Sequence, residues 1–320
     1  IIFFDNKGAI LKFDSSSKKL LWKKNYYSKK EKKLQPILFF ANDQNILIVT
    51  DNIAKYYALN IHSGDLIWTK NNKAPFNSQI KIYKDKFFVV DFENTLRCFS
   101  LKSGDELWKV RTEQAFIKSS KKQSLIILDG KVIFTNSVGA ITAVDIEYGS
   151  LIWQTHTQST SIYAESFFLK TSDIIAEANS ILFSNNKNQF FSLDSKTGFI
   201  NWKQKINSHL RVTIVDGLIF SISQEGLLII IDNKNGNIIR VTDVFKKFKK
   251  KKRNKIVPEG FIVGTQNIYL TTNNGRLIII DILTGKTISI LKIDNEKISR
   301  PYALNENLFI VKDNSIIKLN

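Results

Sequence analysis

The sequence predicts an all-β chain made of repeated four-stranded sheets, and three observations predict it. All five tryptophans fall at one position of a recurring nonapeptide, strand-like runs flank the copies, and the copies recur every 38 to 49 residues along a chain of 320. About four short strands in each interval of this length form one supersecondary unit, which cannot bury both faces alone and must stack on its neighbours. The expected fold is an eight-bladed β-propeller of four-stranded antiparallel blades, a single domain over residues 1–320 with incomplete blades at both ends.

The nonapeptide is clearest in Asp194-Ser195-Lys196-Thr197-Gly198-Phe199-Ile200-Asn201-Trp202. Its first position recurs at Asp14, Asn60, Ser100, Asp145, Asp194, Asp232, Asp281 and Asn320, with spacings of 46, 40, 45, 49, 38, 49 and 39. The glycine follows at Gly64, Gly104, Gly149, Gly198, Gly236 and Gly285, with Lys18 in its place in the first copy. The tryptophan stands at Trp22, Trp68, Trp108, Trp153 and Trp202, and gives way to Arg240 and Ser289. Glycine tolerates the positive φ of a tight turn, and an Asp or Asn at its start can hydrogen-bond the turn's own backbone. Since every tryptophan occupies one repeat position, the indoles are packing elements that fill the gap between adjacent blades.

The runs around each motif read as strands because they are short, rich in aromatic and β-branched residues and bounded by turn formers. Lys55 to Leu59 and Gln189 to Leu193 precede their motifs, and one whole interval divides into Gln79 to Tyr83, Lys86 to Val90, Leu96 to Phe99 and Leu107 to Arg111. Gly8, Gly139, Gly226 and Gly275 each precede a strand and read as hairpin turns, not phosphate loops. Ile1 to Phe4 reads as the second strand of a blade and Ser315 to Leu319 as the third of another. A segment upstream of residue 1 is therefore expected to supply a strand.

No arrangement of residues points to catalysis, and no catalytic, cofactor-binding or metal-binding residue is assigned. His62, His156 and His209 are far apart and lack the close spacing of metal ligands. Asp145, Asp194, Asp232 and Asp281 share the turn register, so they serve the turn. Cys98, the single cysteine, has no partner within the chain and reads as a buried thiol.

The formal charge of +18 invites an anionic partner. Much of it accompanies an abundance of Lys, Asn and Ile throughout, as AT-rich coding produces. The concentrated part is residues 246–255, where eight of ten are basic. This run, with Lys249, Lys250, Lys251, Lys252 and Arg253 at its centre, is expected to be a solvated inserted loop able to meet an anionic membrane surface. Nucleic acid is not expected, because the run lacks interleaved aromatic stacking residues. The longest purely apolar runs, such as Leu227 to Ile231, fall far short of the roughly 20 residues that cross a bilayer.

The repeat resembles the tryptophan-docking, PQQ-like propeller repeat over essentially the whole chain, without the Trp-Asp dipeptide of WD40 blades or a kelch double glycine. Within that class the chain is similar to the BamB family of outer-membrane assembly factors. The resemblance implies a non-enzymatic, cofactor-free periplasmic scaffold that is a monomer within a complex. It further implies an outer-membrane anchor on an upstream lipidated segment and a protein partner related to the barrel-assembly protein BamA. In that family a Leu-x-Leu-Arg segment at the start of a blade meets the partner. Phe167, Phe168, Leu169 and Lys170 resemble it in the repeat order and are expected to bind the partner, with lysine lacking arginine's bidentate fork. A plain inner strand of the fifth blade is the alternative for this run. A second, acidic contact of the family has no counterpart in Asn207 to Val215. Two other functions share the fold class: a quinoprotein dehydrogenase or sensor holding pyrroloquinoline quinone, and a ligand-binding or adhesion propeller. The quinoproteins hold their cofactor over a tryptophan, whereas all five tryptophans here belong to the blade repeat.

Overall fold

The computed structural model describes residues 1–14, 16–17, 19–113, 121–157, 168–312 and 315–319. These form an eight-bladed β-propeller of antiparallel sheets, six of them four-stranded and the first and last three-stranded. Two short helices, Lys29–Lys32 and Lys250–Arg253, are the helical additions among the described residues. None of the helices is long and apolar enough to cross a membrane. The chain divides into two compact units, Ile1–Phe168 and Leu169–Asn320, each with four blades.

In the first unit, blade 2 shows how sequence becomes packing. Its strands Leu38–Asp43, Ile46–Asp51, Lys55–Asn60 and Leu66–Asn71 pair in sequence order. Side chains alternate faces along a strand. Leu47, Val49, Tyr57 and Leu59 therefore join Ile10 and Trp22 of blade 1 in one core, while Ile48, Tyr56 and Ala58 join Phe76, Phe87 and Phe99 of blade 3 in the next. Both faces of the blade are buried. Fully burying each large apolar side chain contributes about 1.5–3 kcal/mol, so the inter-blade layers, not the hairpins alone, hold the unit together. The expected strands of blade 3 are observed as Lys81–Tyr83, Lys86–Val90, Thr95–Ser100 and Glu106–Arg111.

The second unit repeats the scheme. Leu182 and Phe190 of blade 5 pack with Ile219, Ile229 and Ile231 of blade 6, whose opposite face contributes Phe220, Leu228 and Ile230 to a core with Phe261, Ile268 and Ile278 of blade 7. Blade 8, formed by Tyr302–Leu304, Asn307–Lys312 and Ser315–Leu319, adds Ile310 to a smaller core with Leu277 and Ile298.

In all seven described pairings of a third strand with its outer strand, the register slips one or two residues before the motif's first position, as between Ala58 and Leu59 ahead of Asn60. The slip leaves one extra residue on the outer strand, and that residue immediately precedes the tryptophan position: Ile67 is skipped where Ala58 faces Trp68 and Leu59 faces Leu66. A bulge of this kind sharpens the local twist and re-aims the following side chain. Here it turns the indole onto the neighbouring blade and leaves Leu21, Ile67, Leu107, Ile152, Ile239 and Ile288 exposed.

Candidate functional site

The repeated motif is a docking device between blades. In each of its hairpins the glycine N–H donates to the carbonyl of the first position, as Gly64 does to Asn60 and Gly236 to Asp232, both at 2.8 Å. The first side chain accepts from the turn: Asn60 Oδ1 from the N–H groups of His62 and Ser63, Asp194 Oδ1 from those of Lys196 and Thr197. All six motif glycines have φ between +69° and +75° or at +76°. A Cβ on Gly64 would lie 2.8 Å from the Trp22 ring, one on Gly104 2.7 Å from Trp68, one on Gly149 2.7 Å from Trp108 and one on Gly236 2.6 Å from Trp202. Glycine is thus required twice, by the turn and by the indole seated on it. The indole N–H completes the joint, donating from Trp22 to Ile61 O, from Trp68 to Leu101 O and from Trp202 to Asn233 O. Trp153 is 8% exposed, which fits the same packing role. Lys18 and Asn320, the first copy's glycine substitute and the last motif position, lie outside the described residues.

Where the tryptophan is lost at Arg240, the joint survives. The Arg240 guanidinium donates to Ile282 O at 2.8 Å and to Leu283 O, and its Nε lies 3.3 Å from where a Cβ of Gly285 would be. Arginine's planar fork occupies the place of the indole and satisfies one more carbonyl of the same turn. Spacing alone shows only that the tryptophan gives way here; the fork's ability to stack and donate is the signal that identifies the joint.

A second repeated acceptor sits nine residues before the first seven of the eight motif positions. Asp5, Asp51, Asp91, Asn136, Asn185, Ser223 and Thr272 each accept backbone N–H groups of the hairpin joining the second and third strands. Their intervals of 46, 40, 45, 49, 38 and 49 reproduce those of the motif, so the same self-comparison carried nine residues upstream finds them. Asp51 and Asp91 are fully buried. Tyr27 Oη donates to Asp51 at 2.5 Å, and burial raises the Asp51 pKa. Asp91 is held by Arg97 Nε at 2.8 Å, and Arg97 also reaches Glu106. These are hairpin locks: every buried carboxylate oxygen here is matched to a donor.

Of the segment expected to bind a partner, Phe167 lies outside the described residues. The others divide by burial: Phe168 is 69% exposed, Leu169 is 2% exposed, and Lys170 is exposed. The Lys170 carbonyl accepts from the Asn186 N–H at 3.0 Å, the Lys170 N–H donates to Asn186 Oδ1 at 2.8 Å, and Thr171 bridges Asn185. The run is not the inner strand of its blade, which is Ile175–Glu177.

The basic run is more structured than a free loop. Lys250–Arg253 form one helical turn, and the preceding Phe245 and Phe248 pack edge to face on each other and join the core between blades 6 and 7. Lys249, Lys250, Lys251 and Lys252 are exposed. Arg253 departs from the expectation of a solvated charge: its guanidinium pairs with Asp243 at 2.8 Å and donates to Phe248 O and Lys246 O. The charged surface is therefore the lysines, with Arg253 as the clasp that holds them.

The histidines lie apart, His156 at the end of the strand Leu151–His156 and the other two outside strands. His62 meets Asn45, His209 meets Gln224 at 2.8 Å, and His156 lies 3.7 Å from Glu113. Among the described residues no group of three or more His, Cys, Asp or Glu comes together as metal ligands would. Cys98 is fully buried, and burial pushes its thiol up to about 12.

Indole-docked blades of this repeat define the class as a PQQ-like propeller, and comparison with known proteins narrows it. Residues 6–242 match the profile of the family described as outer membrane protein assembly factor BamB, and the chain belongs to that family. A relative of that name from Moranella endobia is 22% identical over 245 residues, covering 73% of this chain and 63% of its own length, so this chain spans less than two thirds of that relative. The crystal structure of BamB from Moraxella catarrhalis superposes with a TM-score of 0.78 at 15% identity, covering 99% of this chain and 92% of the other. The quinohemoprotein alcohol dehydrogenase of Comamonas testosteroni shares the fold at a TM-score of 0.62 and 13% identity, over 85% of this chain and 63% of its own.

Proposed function

We propose that this chain is a non-catalytic periplasmic scaffold that assists the assembly of outer-membrane β-barrel proteins by binding the periplasmic part of the assembly machinery, tethered to the outer membrane through an upstream lipidated segment. The observation that carries the reading is the family match over residues 6–242. The use of the indoles agrees with it. Four of the five lie against a motif glycine or accept a place in its turn, so they are already engaged in joining blades. A quinone floor would need an aromatic released from that duty.

Within the proposed partner segment, exposure assigns different duties to neighbouring residues. Phe168 presents its ring to solvent and Lys170 its charge, while Leu169 anchors the turn beneath them. Binding energy at interfaces concentrates in such exposed aromatics that become desolvated. The test is an affinity pull-down of the tagged, lipidated protein from detergent-solubilised envelopes of its host, with partners identified by mass spectrometry. Recovery of the BamA-type protein by wild type, and at least about tenfold less by Phe168→Asp, is the expected result. Leu169→Asp is the wrong probe, because burying a carboxylate at a 2% exposed position unfolds the segment whether or not it binds anything. Equal recovery with Phe168→Asp would place the contact elsewhere, and absence of the assembly protein from the wild-type eluate would end the scaffold reading.

A further inference from the structure

In the second unit, the inner strands of blades 5 and 6 border a cavity of about 310 Å3 that neither the blade repeat nor the scaffold role uses. One wall is Ile175 and Glu177 of Ile175–Glu177; the other is Arg211 and Val212, leading into Ile214 of Thr213–Val215; Arg300, just ahead of blade 8, completes it. Ala176 and Thr213 fill the rest of the lining, and two arginines against one glutamate leave it net positive.

Arg300 is built into place. Its Nε donates to Phe261 O at 3.0 Å, and its Cβ and Cα press on Gly260, where an added Cβ would come within 2.5 and 2.9 Å of them. Gly260 is thus kept bare to let Arg300 lie flat on blade 7. The terminal nitrogens of Arg300 and the whole Arg211 guanidinium have no hydrogen-bond or ion-pair partner among the described residues. Glu177 points one oxygen elsewhere, its Oε2 accepting from Asn233 Nδ2 at 2.8 Å. Burial and the nearby Arg211 charge lower the Arg300 pKa, and Asp173 and Tyr302 offset this only in part. Bringing two guanidinium groups together in a partly desolvated place is unfavourable unless an anion joins them, and the planar fork is suited to an oxyanion.

We propose that this cavity is a binding site for an oxyanion, a carboxylate or phosphate, carried on a ligand whose apolar body rests on the half-buried Ile175 and Ile214. The two guanidinium groups clasp the anion and Glu177 limits its charge to a single unit.

Isothermal titration of the folded protein at low ionic strength, with isovalerate and with inorganic phosphate as probes, tests it. Saturable binding of at least one probe is expected, weakened about tenfold or more in Arg211→Gln, whose exposed side chain can be changed without disturbing the fold. Glu177→Gln keeps an oxygen for Asn233 and removes the competing charge, so it should tighten binding several-fold, a gain that misfolding cannot produce. Tighter binding of isovalerate points to a carboxylate-bearing ligand, and tighter binding of phosphate to a phosphorylated one; either supports the site. A control with Lys250→Gln and Lys251→Gln should bind as wild type. The proposal is overturned if neither probe saturates, if Arg211→Gln binds equally well, or if Glu177→Gln fails to gain affinity.

Discussion

A single side chain decides each blade joint, and Arg240 shows which property matters. Tryptophan contributes apolar area and one N–H; arginine contributes less area but donates to both Ile282 O and Leu283 O. Arg240→Ala should therefore cost about 2 kcal/mol, because two turn carbonyls lose charge-assisted donors. Arg240→Trp restores the indole over Gly285 and should lie within about 1 kcal/mol of wild type. Urea unfolding at constant m separates the two, and no loss in Arg240→Ala would mean that Arg240 is mere surface. On the other side of the joint, Gly236→Ala meets two penalties at once: a non-glycine residue at φ +76° and a Cβ 2.6 Å from the Trp202 ring. A loss of about 2–3 kcal/mol is expected, against roughly 1 kcal/mol for alanine at Gly130, where a Cβ meets nothing and the positive φ is the whole cost.

At the level of elements, the hairpin and its bulge were only half legible in the sequence. The tryptophan register identified the outer strands and the turns, because that motif combines a rare residue with a glycine of fixed offset. The bulge left no residue signature: its extra position holds Leu21, Ile67, Leu107, Ile152, Asn201, Ile239 or Ile288, all but one ordinary apolar strand residues. The second acceptor register was hidden because Asp, Asn, Ser and Thr share the duty. The cavity of Arg211 and Arg300 was beyond reach, since residues 89 positions apart meet only when blades 6, 7 and 8 stack (300 − 211). The basic element illustrates the same limit. Composition gave its charge, but the Asp243 clasp on Arg253 needed the fold. It follows that the two kinds of basic residue respond differently to substitution. Replacing Lys250, Lys251 and Lys252 by glutamine should leave stability within about 0.5 kcal/mol and weaken binding to phosphatidylglycerol vesicles by about 1 kcal/mol per lysine. Arg253→Gln should instead lower stability by about 1 kcal/mol through loss of its ion pair and carbonyl contacts. Unchanged vesicle binding in the triple variant would remove the anionic-surface role from this element.

For the whole molecule, a charge of +18 and a set of turn carboxylates make acid the condition to which the propeller is most exposed. Backbone N–H groups of Ser17 and Thr197, and the Thr284 hydroxyl, lead the interactions that hold Asp14, Asp194 and Asp281 below the usual carboxylate range. A carboxylate whose folded pKa is depressed stabilises the fold above its unfolded value, near 3.9, and that contribution is lost as pH falls through the folded pKa. Asp51 works in the opposite sense, because burial raises its pKa and its folded form gains relative stability on protonation. It is one buried group against several turns, and protonation also increases the net positive charge and its self-repulsion. Thermal stability should therefore be nearly level above about pH 5 and fall steeply below about pH 4. The combined variant Asp194→Asn and Asp281→Asn isolates the turns, because Asn60 already performs the same capping without a charge. It should be less stable than wild type at pH 7, lose less between pH 5 and pH 3, and converge with wild type at the acid end. Parallel curves for the two proteins would show that acid acts through overall repulsion and not through the blade turns.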